Sequence, residues 1–410
     1  MRRRVVITGA GALSPLGDSP EALHRALAAG ESALKPIELF PLDGLGPRRA
    51  GEIRPFEPQS YLGDRNLRPV DRTSRLLLVA AQTALDASGW TPEARAGREV
   101  GLVLGTTFCS IKTIAEFDRR GLQLGPSHAS PLDFANSVIN AAAGQAAIWH
   151  GLRGVNSTVA GGEAAGLLAI ANAADLIAAG RADALLAGGV EELCFESFVG
   201  YHKAGRLAPE DGRPIPFDAR RDGFAQSEGA ALLVLEAEET ARERGAAILG
   251  EVLGHAAAFD PSEGEEDEAA ETVARAVRLA CADAGAGLGE IGAWSASANG
   301  SVKSDRIEAE GLARAFGARA AGLPVVAVKA MLGEALGASG AFQAIDLISS
   351  MADGVLPGIA GLENTEEGFP FDGGVAAETR QVDPRSLRRT LVTALSADGN
   401  ACALVLGRVD

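Results

Sequence analysis

Thr158-Val-Ala-Gly-Gly-Glu163-Ala-Ala-Gly-Leu167 decides the reading of this chain. A short β-branched stretch, Val155 to Val159, precedes the Gly-Gly pair and predicts a strand. A long apolar run, Ala164 to Ala179, follows and predicts a buried helix. A sharp strand-to-helix turn is where many enzymes hold a nucleophile, because a helix N-terminus favours negative charge. Here the turn carries the carboxylate of Glu163.

Outward from this point, strands and helices alternate. Val5–Ile7 reads as a buried strand and Gly9–Gly17 as a loop. Ser19-Pro20 supplies a helix cap followed by proline at the first helical position, and Gly30 ends that helix. Helices are expected over 75–88, 108–119 and 135–150. Strands are expected over 100–105, 184–189 and 230–235. A second series starts with a strand at 248–253. An acidic loop, 260–268, then leads into a helix over 270–284. A strand at 293–298, a helix at 307–316, a strand at 325–329, a helix at 340–352 and strands at 390–395 and 401–406 complete it. This order indicates an α/β fold with parallel pairing.

Composition narrows the function. Of 410 residues, 47% are hydrophobic, so a large core is available. The net charge of -16 argues against a nucleic-acid footprint and against attraction to an anionic membrane. No uncharged apolar stretch reads as a membrane span, so a cytoplasmic protein is expected. Cys109, Cys194, Cys281 and Cys402 are widely spaced and form no Cys/His cluster, so they are expected to be reduced, buried thiols, with no metal site. The pair Gly9-x-Gly11 invites a dinucleotide reading. Ser14 stands where the third glycine belongs and Pro15 interrupts the helix start, so no cofactor is expected.

Several motifs carry a family resemblance. The opening Val5-Val-Ile-Thr-Gly-Ala-Gly-Ala-Leu-Ser-Pro-Leu-Gly17, the segment Ala187-Gly-Gly-Val-Glu191, the stretch Arg213–Phe224 with Glu228–Glu236, and Lys329-Ala-Met-Leu-Gly-Glu334 together resemble the β-ketoacyl synthases of fatty-acid and polyketide assembly. The resemblance implies the thiolase fold: duplicated halves, residues 1–247 and 248–410, in a five-layer α-β-α-β-α arrangement. It also places the family's acyl-accepting cysteine at Glu163, its two histidines at Asn299 and Glu334, and its lysine at Lys329. The Gly-Phe-Gly-Gly-x-Asn loop of the family is matched by Leu395-Ser-Ala-Asp-Gly-Asn400.

A ketosynthase needs a thiolate to accept the growing chain and two histidines to stabilise the enolate formed as carbon dioxide leaves. All three are replaced here. This resembles the chain length factor, or ketosynthase β subunit, of type II polyketide synthases. There the cysteine position is commonly glutamine, in a run that Gly162-Glu163-Ala-Ala-Gly-Leu167 resembles. The resemblance implies pairing with an active ketosynthase α subunit, access to acyl carrier protein through the complex, and a part in shaping the acyl tunnel. Phe108, Ile111 and Phe134 are the candidate tunnel and interface residues, which could equally be ordinary core. Two other readings stay open: a malonyl-carrier-protein decarboxylase, and a ketosynthase-like acyltransferase using Glu163 as base. Both carboxylates could also simply pair with Lys329.

Overall fold

A computed structural model describes residues 2–46, 48–262, 265–371 and 373–409. Five strands of the first half lie side by side in the order Asn156–Ala160, Val100–Thr106, Ala184–Glu191, Gly229–Ala237, Val5–Leu13. Numbered along the chain, that is 3-2-4-5-1. The second half repeats the order in mirror image: Gly250–Phe259, Asn400–Gly407, Arg389–Leu395, Ala293–Ser295, Val325–Val326. In both halves only the strands flanking the fifth position pair antiparallel, and the remaining pairs are parallel. Val5–Ile7 pairs antiparallel with Gly250–Val252 and joins the halves in one ten-stranded sheet. The duplication absent from the sequence as repetition is therefore plain in the strand order.

Two helices lie between the halves, Ala165–Ala178 and Ser339–Asp353. Each touches strands of both halves, and they touch each other. Both are buried along most of their length, which explains why the first reads as an apolar run rather than as an amphipathic stripe; the second also buries the polar side chains of Gln343, Asp346 and Ser350. Arg72–Ala87 and Ala141–His150 cover the first half from outside; Glu266–Asp283 and Val302–Phe316 cover the second. This is the expected five-layer thiolase arrangement.

Local expectations are corrected at several places. The strand from Val5 runs on to Leu13, so Gly9 and Gly11 are strand residues and not loop. A Cβ on Gly11 would stand 2.1 Å from the carbonyl oxygen of Ala80, so the glycines admit helix Arg72–Ala87 against the sheet. The single helix expected over 135–150 is two, Pro131–Ala135 and Ala141–His150. Between them the Asn136 amide donates to the Pro69 carbonyl and Ser137 Oγ donates to the Phe134 carbonyl, side-chain bonds that compete with helix.

The helix expected from Phe108 starts at Ile111 and reaches Leu124. The acidic stretch is only partly loop: Glu263 and Gly264 lie outside the described residues, and Glu266, Asp267 and Glu268 form a first helical turn, where acidic side chains face the positive end of the helix dipole. The strands expected at 293–298 and 325–329 stop at Ser295 and Val326. Lys329 instead opens a helical turn, Lys329–Leu332, which swings its ammonium inward.

Candidate functional site

Glu163 lies in a 3-10 turn, Gly162–Ala164, between strand Asn156–Ala160 and the central helix. Gly162 has φ +56°, and a Cβ there would stand 1.9 Å from Ser396 Oγ, so Gly162 is what lets this turn close against the hairpin at Leu395–Asn400. The Glu163 side chain is buried, yet it borders a cavity of about 570 Å³. Arg206, Asn299, Ser396 and Ala397 line the same cavity, with Lys303, Asp260 and Asp398 among its other charged walls.

The Glu163 carboxylate is held by four donors. Oε1 accepts from Arg206 Nη1 at 3.1 Å and from the Tyr201 hydroxyl at 3.3 Å. Oε2 accepts from Ser396 Oγ at 2.7 Å and from the Ala397 N–H at 3.2 Å. The expected pairing with Lys329 is thus replaced by pairing with Arg206. Burying a carboxylate is costly unless it is paired and hydrogen-bonded, and these residues supply both a cation and donors.

Lys329, Glu334 and Asn299 do meet, in a second buried cluster. Lys329 Nζ donates to Glu334 Oε2 at 2.8 Å and to the Ser297 carbonyl at 2.7 Å. Asn299 Nδ2 donates to the same Glu334 oxygen at 2.8 Å. The other oxygen accepts from Ser339 Oγ at 2.6 Å and from the Leu336 N–H at 3.0 Å. Asn299 Oδ1 is occupied by the Ser301 N–H. Nearby, burial pushes Glu308 up to about 7, against bonds from Thr393 and the Ser297 N–H and the charge of Lys329, which pull it down. Burial likewise raises Asp305 to about 6 despite N–H donors from Phe217, Asn299 and Gly300 and the charge of Arg221.

Phe108 is half-buried and packs edge-on against Tyr201. Ile111 is half-buried at the start of its helix, whereas Phe134 is 62% exposed. None of these three lines the cavity. All four cysteines are buried and free, and none lines the cavity. Burial raises the thiols of Cys109 and Cys281 to about 11 and those of Cys194 and Cys402 to about 12, so none is a thiolate at neutral pH.

Four residues that matter here carried little signal. Ser396 and Ala397 lie in the loop Leu395–Asn400, which the resemblance had pointed to. Tyr201 belongs to an unexpected helix, Phe195–Lys203, and Arg206 to the segment after it. No motif marked either one.

Comparison with known proteins places the whole chain in a family. The model of the β-ketoacyl synthase N-terminal domain matches residues 2–241, and that of the C-terminal domain matches residues 249–363. The chain belongs to the β-ketoacyl synthase family. It is 33% identical to 3-oxoacyl-[acyl-carrier-protein] synthase 2 of Vibrio cholerae, over 90% of this chain and 91% of that protein. It is 34% identical to the tetracenomycin polyketide synthase ketoacyl synthase beta subunit of Streptomyces glaucescens, over 98% of each chain. Among solved structures, the ishigamide ketosynthase/chain length factor superposes with a TM-score of 0.92 at 30% identity, covering 100% of each chain.

Proposed function

We propose that this member of the ketosynthase family is a catalytically silent subunit, a chain length factor. It pairs in the cytoplasm with an active ketosynthase and shapes the acyl tunnel in type II polyketide or polyene biosynthesis. One observation carries the reading: Glu163 and Glu334 take up the donors that a condensing site would need. An enolate or tetrahedral oxyanion must be met by free, pre-aimed N–H or O–H groups. Here Arg206, Tyr201, Ser396 and the Ala397 N–H are turned onto Glu163, and Lys329, Asn299, Ser339 and the Leu336 N–H onto Glu334. A carboxylate offers acceptors only. The same arrangement speaks against a malonyl decarboxylase and against Glu163 as a base, since its lone pairs are already engaged.

The surface supports a partner. Helix Ile111–Leu124 buries no side chain of its own. Leu122, Leu124, Leu132, Phe134, Val138 and Ile139 are exposed on this helix and the segment after it. Strand Asn156–Ala160 is an edge of the sheet and pairs on one side only among the described residues. Exposed apolar side chains near an open, β-branched strand edge are what a protein interface leaves behind when the partner is removed. The beta-subunit relative and the ketosynthase/chain length factor neighbour point the same way.

The test is co-expression with a ketosynthase encoded beside this chain, followed by co-purification and an assay with malonyl-loaded carrier protein. The pair is expected to elongate and this chain alone to leave the substrate untouched. In the pair, Phe108→Ala is expected to shift products to longer chains, because truncating a half-buried aromatic opens volume for several methylenes. Turnover of malonyl carrier protein by the chain alone, or failure to bind any ketosynthase, would overturn the reading.

A further inference from the structure

Directly behind the Glu163–Arg206 pair lies a separate apolar cluster: Tyr201, Phe224 and Leu336, with Phe108 and Leu207 packed at its edge. The rings of Tyr201 and Phe224 meet edge to face at 5.2 Å, and Phe108 meets Tyr201 at 6.0 Å. The guanidinium of Arg206 stands 5.4 Å from the Tyr201 ring and 5.5 Å from that of Phe224 while it bonds to Glu163. Burial, reinforced by the charges of Glu163 and Glu334, raises the Tyr201 phenol far above its ordinary range, so it stays a donor. Glu163 and Arg206 line the cavity, and none of the five apolar residues does. Cavity and aromatic cluster therefore meet at one ion pair, Glu163 with Arg206, and the Tyr201 ring.

The cluster is also held from behind. Leu336 has φ +47°, and Cys109, next to Phe108, has φ +52°, a conformation that costs side-chain-bearing residues energy. The buried Glu191 carboxylate accepts from the backbone N–H groups of Thr107, Phe108 and Gly337, so one side chain pins both loops.

We propose that Tyr201 and Arg206 form a stopper between the cavity and the aromatic cluster. The Tyr201 ring fills the space behind the ion pair, the Arg206 guanidinium faces the cavity, and Glu163 fastens both, so a long apolar acyl chain that enters the cavity cannot pass into the cluster. The inference rests on the reading of the chain as a subunit that shapes an acyl tunnel. It assigns closure on this side to residues other than Phe108. To pass, an acyl chain would have to break a charge-assisted hydrogen bond and displace a packed ring. With the ring and guanidinium gone, the space left is apolar, and such space takes apolar ligands.

The experiment is equilibrium binding of the fluorescent fatty acid cis-parinaric acid to the full chain, alone and with its ketosynthase partner, with circular dichroism as the control for folding. The native chain is expected to show no saturable binding. The double variant Tyr201→Ala/Arg206→Ala is expected to bind one equivalent saturably, at probe concentrations at least about tenfold below those at which the native chain shows any signal. Tyr201→Phe keeps the ring and is expected to stay closed. If the double variant does not fold, Arg206→Met, which keeps an apolar stem and removes the cap, is expected to admit the probe more weakly than the double variant but measurably. Native protein that binds as tightly as the variants, a folded open variant that does not bind, or Tyr201→Phe behaving like the open variants would each overturn the stopper. Loss of the subunit reading would show separately, as failure to associate with a ketosynthase, and leaves the binding result standing.

Discussion

The two central helices begin in the same way and end up with different electrostatics. Each is preceded by a 3-10 turn whose first residue has positive φ: Gly162 at +56° before Ala165–Ala178, and Leu336 at +47° before Ser339–Asp353. The first turn contains Glu163, and Glu334 stands two residues before the second. Glu334 is sealed: its side chain and that of Lys329 are each 1% exposed. Glu163 is buried, but its cation, Arg206, is 23% exposed on a cavity wall. One duplicated backbone motif has become an internal lock in the second half and a gatepost in the first. Depth of the cation, not the presence of a carboxylate, separates the two roles.

The largest effect is expected from breaking the lock. Lys329→Met leaves Glu334 buried without its cation and should cost about 3–5 kcal/mol in a denaturant titration. A loss below about 1 kcal/mol would mean that the two turns are electrostatically alike after all.

A second experiment asks whether pH sensitivity belongs to the sealed side. Glu308, beside Lys329, is raised from 4.5 to about 7, so the folded state holds its proton where the unfolded chain has lost it. Stability from this group is therefore fully present below about 4.5 and falls as pH rises towards 7. Glu308→Gln should remove up to about 2–3 kcal/mol of that fall, seen as a flatter profile of melting temperature between pH 5 and 8. An unchanged profile would assign the effect to the other raised acids, Asp305, Glu191 and Glu192.

The smallest change is expected at the gatepost. Glu163→Gln keeps the shape and loses one partly exposed ion pair, which should cost about 1 kcal/mol or less. A loss as large as that of Lys329→Met would erase the distinction drawn here.

The sequence marked the two turns unequally. Lys329 and Glu334 are five residues apart in one motif, so their meeting was legible, although the strand expected at 325–329 is mostly a turn. The turn at Glu163 was legible because a β-branched stretch gives way to a long apolar run within a few residues. Its partners were not. Tyr201 and Arg206 lie 38 and 43 residues away and Ser396 lies 233 away, so only the folded duplication brings them together. The α/β class could be read from the alternation of strands and helices, and the layered, duplicated arrangement from the family resemblance. The strand order could not, because it depends on crossovers that leave no local trace. The expected pairing of both carboxylates with Lys329 was wrong for Glu163 for the same reason: an arginine without a motif lay closer.

The seam between the halves is short, three residue pairs from Val5–Ile7 to Gly250–Val252. Yet helix Ala165–Ala178 rests on strands of the second half, and Ser339–Asp353 on strands of the first. The two central helices are thus shared between the halves, and pulling the halves apart would bare the apolar face that each helix turns to the other side.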